Sequence, residues 1–218
     1  MFKFDPAKYT DALSKNGYAY IQDGCEEQFM DKLESFVKTI KSPNAPDTFS
    51  FKPMDEDQDE LFRAFRVIYE IEEVTVSRHH VLYYRENMPS YPHKDRKSLQ
   101  YSCAIGIENT NQSSLFLWPD APLDENTGSH WRDYVESKGG QETINNEIQT
   151  TEAVELSTER GDVIFFPGSR MYHHRSNTEG VSIYYIAVNE YGIYDRTASR
   201  QERKNAGKMA SPPPGLIK

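Results

Sequence analysis

The chain has 218 residues, and 25 Lys plus Arg against 34 Asp plus Glu leave a net charge of −9. So acidic a surface repels a phosphate backbone and argues against a general nucleic-acid binder. Aromatic residues make up 12% of the chain, which points to a packed core and away from disorder. Two cysteines, Cys25 and Cys103, are too few for a disulfide framework or a thiolate cluster. No apolar run approaches the roughly 18 residues that a membrane helix needs. The start, MFKFDPAKYTDALSK, lacks the apolar stretch of a signal peptide. These features predict a cytoplasmic chain without membrane partners.

In chain order, residues 6–15 read as a short helix and GYAYIQD (17–23) as a short strand. Residues 26–41 place Phe29, Leu33, Phe36, Val37 and Ile40 at helical spacing, with acids early and lysines late. The Pro- and Asp-rich stretch 41–60 reads as a loop, and 61–71 as a second helix. From residue 78 the pattern turns to strands: HHVLYYRE, LQYSCAIGIEN, SSLFLW, EAVELS, DVIFFP and VSIYYIAVNEY are short, β-branched and aromatic. Helices followed by many strands predict an α+β fold whose sheets form a sandwich or barrel. Residues 119–150 form a long polar insertion with a short helix near Trp131 to Ser137, and its length suggests a lid. The tail 195–218 carries six basic and two acidic residues and reads as a solvated extension.

Two segments carry chemistry. In the first, His93 and Asp95 are separated by one residue, so on an extended backbone both project to one side. Small residues on one face of the next strand (Ser102, Ala104, Gly106) leave room for ligands there. In the second, Gly161-Asp162 turns into Val163 to Phe166, Pro167-Gly168 ends that strand, and His173 and His174 follow. Adjacent residues on a strand face opposite ways, so only one of these two histidines can join His93 and Asp95. Two imidazoles and one carboxylate on one side of a metal suit non-haem Fe(II). Zinc is the rival, although the H-E-x-x-H helix that often accompanies it is missing.

The stretches Y-x-x-N-x(4)-P-H-x-D (Tyr84, Asn87, Pro92, His93, Asp95) and G-D-x-x-x-F-P-G-x-x-x-x-H (Gly161, Asp162, Phe166, Pro167, Gly168, His173) resemble those of the Fe(II)/2-oxoglutarate-dependent dioxygenase superfamily. The resemblance covers roughly residues 78–192. It implies a cupin-like double-stranded β-helix, or jelly roll, with the N-terminal helices packed on it, as one domain over 1–194. It further implies that His93, Asp95 and His173 hold Fe(II), that 2-oxoglutarate is the co-substrate and O2 the oxidant, and that succinate and CO2 are released. Asp95 stands where related halogenases have a small residue, so oxidation, by default hydroxylation, is expected and chlorination is not.

The family usually carries an Arg or Lys about ten residues beyond the distal histidine, paired with the far carboxylate of 2-oxoglutarate. Here that stretch reads EGVSIYY, without a cation. Arg175, two residues from His173, is the leading replacement, supported by hydroxyls from Tyr84 and Ser182; Lys97, two residues from Asp95, is another. The missing cation also leaves open a non-catalytic jelly-roll module that binds a ligand. A small molecule, an amino acid or natural-product intermediate, is the expected substrate. Trp118 and Trp131, which flank the insertion, either touch it or pack beneath the insertion.

Overall fold

The structure, a computed structural model, describes residues 1–41, 48–51, 55–84, 91–128 and 130–190. Asn87 and the basic tail lie outside the described residues. A 3-10 turn (Pro6–Tyr9) and α1 (Thr10–Asn16) lead into strand β1 (Ala19–Ile21) and helix α2 (Glu27–Ile40). The helical spacing read from the sequence holds: Phe29, Leu33, Val37 and Ile40 are buried along one side of α2. The expected loop 41–60 instead contains strand β2 (Thr48–Ser50) and the first turns of α3 (Asp55–Tyr69). The helix begins in DEDQDE because acids are stabilised at a helix N-terminus; the same acids make the stretch look like a loop.

Seven strands follow: β3 (Val74–Tyr84), β4 (Tyr101–Asn109), β5 (Ser114–Trp118), β6 (Val154–Ser157), β7 (Val163–Phe166), β8 (Tyr172–Arg175) and β9 (Val181–Glu190). They form two antiparallel sheets, ordered β1-β7-β4-β9-β3-β2 and β6-β5-β8. Strand β9 lies between β4 and β3 and is buried almost end to end, which explains its apolar run from Ile183 to Val188. Alternation then assigns its residues to two faces. Tyr184, Ile186 and Val188 pack against Phe29, Leu33, Val37 and Phe65 of α2 and α3. Val181, Ile183, Tyr185 and Ala187 face Leu115, Leu117 and Leu156 of the smaller sheet.

The 119–150 insertion supplies α4 (Trp131–Ser137) and α5 (Gln141–Ile148). These helices do not simply cap the cavity as a lid. Tyr134, Ile144 and Ile148 pack with Trp118 and Tyr172 on the outer face of the smaller sheet. The layers are therefore helix, six-stranded sheet, three-stranded sheet, helix, with the site between the sheets. Among the described residues, no helix is long and apolar enough to cross a membrane.

Candidate metal centre

His93 and Asp95 do not lie on a continuous strand, contrary to the simple extended reading. They are pinned separately. His93 forms an isolated antiparallel bridge with His173, its N–H donating to the His173 carbonyl (3.1 Å) and accepting the reciprocal bond (3.0 Å) on its own carbonyl. The Asp95 N–H donates to the Gly168 carbonyl at 2.8 Å. Gly168 is needed at this approach, because a Cβ there would overlap the Ser102 hydroxyl and lie 2.9 Å from Asp95 Oδ2.

The three side chains converge, each offering a ligand atom within 4.8 Å of the others. His93 Nδ1 lies 2.8 Å from the Tyr91 carbonyl, and His173 Nδ1 lies 3.0 Å from the Met171 carbonyl. A carbonyl only accepts, so each Nδ1 carries a proton, which leaves Nε2 as the atom each ring can offer to a metal. His173 Nε2 lies 3.7 Å from Asp95 Oδ2. Burial, and then the neighbouring His93, hold the His173 imidazole down to about 4, against a smaller opposing pull from Asp95. It is therefore neutral and able to ligate at physiological pH. His174, on the opposite side of β8, stacks its ring on Phe116 and Trp118 at 4.9 and 5.7 Å between centroids. The donor set fits a divalent metal that accepts imidazole and carboxylate.

Tyr185 completes the setting of Asp95. Its hydroxyl donates to Asp95 Oδ2, so its single proton is committed and Ser102 must donate to the Tyr185 oxygen at 2.7 Å. Sequence reasoning missed Tyr185. The signal was its alternation with Ile183, which puts both residues on the inner face.

A cavity of about 310 Å³ surrounds the triad, and Tyr84, Trp131, Arg78 and Arg175 are among its lining residues. Arg175 is buried and donates from Nη1 to Thr158 Oγ1 at 2.6 Å and to Ser113 Oγ at 3.4 Å. Burial lowers it to about 10, still a cation at neutral pH. Tyr84 reaches the cavity as expected. Ser182 does not: it pairs with Tyr83 on the helix-facing side of β9 and donates to Glu108 Oε2 at 3.2 Å. Its neighbours Val181 and Ile183 take the inner face, so alternation excludes it. Lys97 is not among the cavity-lining residues. The two tryptophans divide: Trp131 lines the cavity with its ring 5.6 Å from that of His93, whereas Trp118 packs under the insertion. Arg78 on β3 was not anticipated, because its strand read only as apolar and aromatic.

No protein-family model matches the sequence, and no curated protein matches it. Solved structures do match the fold. SnoN, a non-haem α-ketoglutarate-dependent epimerase from nogalamycin biosynthesis, superposes with a TM-score of 0.60 at 12% identity, over 84% of this chain and 83% of its own. A Pseudomonas putida prolyl-4-hydroxylase matches with a TM-score of 0.57 at 10% identity, over 86% of this chain and 100% of its own. EctD from S. alaskensis, solved with 2-oxoglutarate and 5-hydroxyectoine, matches with a TM-score of 0.58 at 15% identity, over 87% of this chain and 78% of its own. The chain thus has the fold of the 2-oxoglutarate-dependent oxygenases, the superfamily that its two motifs resemble, and it carries a His-Asp-His triad able to bind a metal.

Proposed function

We propose that the protein is a non-haem Fe(II)/2-oxoglutarate-dependent oxygenase that hydroxylates a small molecule. The observation that carries this reading is the convergence of His93, Asp95 and His173 in a cavity that also holds a buried guanidinium. We read the two facing sheets as the double-stranded β-helix of that superfamily and residues 1–194 as one domain. When bound, Fe(II) with 2-oxoglutarate supplies an oxidant derived from O2, with loss of CO2 and formation of succinate.

The chain's own residues perform the positioning. His93 and His173 present Nε2, Asp95 presents a carboxylate, and Tyr185 holds that carboxylate in orientation. Arg175 holds the far carboxylate of 2-oxoglutarate and Tyr84 lines the same end of the cavity, which supplies the cation missing from β9. A buried cation in the cavity supports the catalytic reading over a non-catalytic module. The cavity lies at the small end of the usual ligand-site range of about 300–1,000 Å³, in keeping with a small substrate. Because Asp95 occupies a ligand position, chloride is not expected to enter the product.

The test is anaerobic. Fe(II) added to the purified protein under argon, followed by 2-oxoglutarate, is expected to give a visible charge-transfer band. It should disappear in His93→Ala. A colourless unmutated complex would rule the reading out.

A further inference from the structure

Arg78 is the cation that the proposed reaction leaves unused. It lies on β3 with Leu82 and Tyr84, which alternation places on the same inner face, and it lines the cavity. Its guanidinium is half-buried, and among the described residues it makes no hydrogen bond or ion pair. The register shows how far it stands from Arg175. Tyr84, whose phenol interacts electrostatically with Arg175, pairs with Val181 at one end of β9. Arg78 pairs with Ala187 near the other end and is close enough to act on Tyr185, the residue that holds Asp95. Six residues of strand separate Arg78 from Tyr84, or about 20 Å at roughly 3.3 Å per residue. Asp95, bonded to Tyr185 beside Ser102, lies toward the Arg78 end, because Ser102 and Arg78 both pair with Ala187; on the reading proposed above, one 2-oxoglutarate bound to the metal and to Arg175 therefore extends away from Arg78.

Charge makes the same point. On the reading proposed above, two guanidiniums and a divalent metal face Asp95 and the two carboxylates of 2-oxoglutarate. Asp95 is the one acid among the described residues lining the cavity. One positive charge is left uncompensated inside a chain whose net charge is −9. A half-buried cation in a cleft attracts an anion, and a guanidinium presents a planar fork that matches a carboxylate. A monoanion balances the remaining charge, whereas a phosphate monoester would exceed it.

We infer that Arg78 is a substrate-binding residue that pairs with a carboxylate of the substrate on the side of the metal opposite the 2-oxoglutarate anchor. The substrate class is then a small carboxylic acid, free amino acids included. The inference rests on the oxygenase reading for the placement of 2-oxoglutarate.

The test uses full-length protein loaded with Fe(II) and 2-oxoglutarate under argon. The probes are the common L-amino acids, benzoate and hexanoate, each beside its carboxamide, with binding read by calorimetry. At least one acid is expected to bind, with its amide about tenfold weaker or worse. Arg78→Ala should weaken that acid by about ten- to hundredfold, Arg78→Lys should retain part of the affinity, and 2-oxoglutarate affinity should change less than about threefold in both. Retained 2-oxoglutarate binding also shows that each variant is folded. Amides binding as well as acids, no probe acid binding, or Arg78→Ala weakening 2-oxoglutarate in place of the probe would each overturn the assignment. If 2-oxoglutarate gives no band with the unmutated protein, the oxygenase reading fails by itself. The acid and amide pairs, measured on Fe(II)-loaded protein, then still decide Arg78.

Discussion

His173 and His174 are neighbours with opposite fates, and a pair of variants separates them. On the proposed reading, His173→Ala removes one of three ligands and is expected to weaken Fe(II) or Co(II) binding by more than about 100-fold, beyond the range seen when only a supporting partner is lost. His174→Ala should leave metal affinity nearly unchanged and cost stability instead, because its ring stacks on Phe116 and Trp118. Equilibrium dialysis beside urea unfolding distinguishes the outcomes. On the proposed reading, Arg175→Met is expected to raise the KM for 2-oxoglutarate by about ten- to hundredfold with little change in that for substrate, the loss of a charge-assisted pair. Steady-state kinetics with each ligand varied in turn reads it. The triad was legible because spacing and motif pointed to the same three residues. That Arg175 reaches the cavity was legible from its offset of two from His173. Ser182 was misplaced by one residue, which on a strand is the difference between the cavity and the helix-facing core. Tyr185 and Arg78 were illegible because an inward tyrosine or arginine looks the same in sequence as an outward one until the register is known.

Lys94 shows how one element is fastened to another. It lies between two ligands, yet its side chain points away from them and is fully buried. Its ammonium donates to the carbonyls of Pro122 (2.5 Å) and Asp124 (2.9 Å) and to Asp124 Oδ1 (2.6 Å), and it lies 4.3 Å from the centre of the Tyr172 ring. Burial lowers the Lys94 amine below its usual value, so the contacts mainly offset a desolvation cost. Asp124 feels burial too, but bonds from Lys94 and Lys138 outweigh it and lower the carboxyl from 3.8 to about 2. This depressed value means that Asp124 contributes stability above about pH 4, and that the contribution is lost as pH falls toward 2. Lys94→Met is expected to destabilise the fold by about 1–3 kcal/mol near neutrality. The gap from the unmutated protein should narrow in acid, and urea titrations at pH 7 and pH 3 measure it. The sequence indicated an insertion and its first helix, but not which surface that helix covers. That depended on a lysine that composition assigns to solvent. The early start of α3 was hidden for a related reason, since acids that stabilise a helix N-terminus also mark loops.

At the scale of the molecule, helices before strands were legible from periodicity alone. The division of the nine strands among the described residues into a six-stranded and a three-stranded sheet was not, because it depends on pairings between distant segments. The bridge between His93 and His173 has a consequence for how the protein meets its metal. Two backbone hydrogen bonds already join the ligating segments, and a third, from Asp95 to Gly168, fixes the carboxylate. The conformational entropy of assembling the ligands is thus lost during folding of the chain, and little remains to be lost when an ion arrives. Small zinc modules behave in the opposite way, since they unfold when stripped. Chelator-treated protein is therefore expected to keep its far-UV circular dichroism and a cooperative thermal transition. Added metal should raise the Tm only as mass action requires, by about 2.7 kcal/mol of stabilisation when free metal is 100 times Kd. Scanning calorimetry across a metal titration checks both. In a cell such a protein would persist as a folded, empty receptor, ready to take up a metal ion whenever the supply returns.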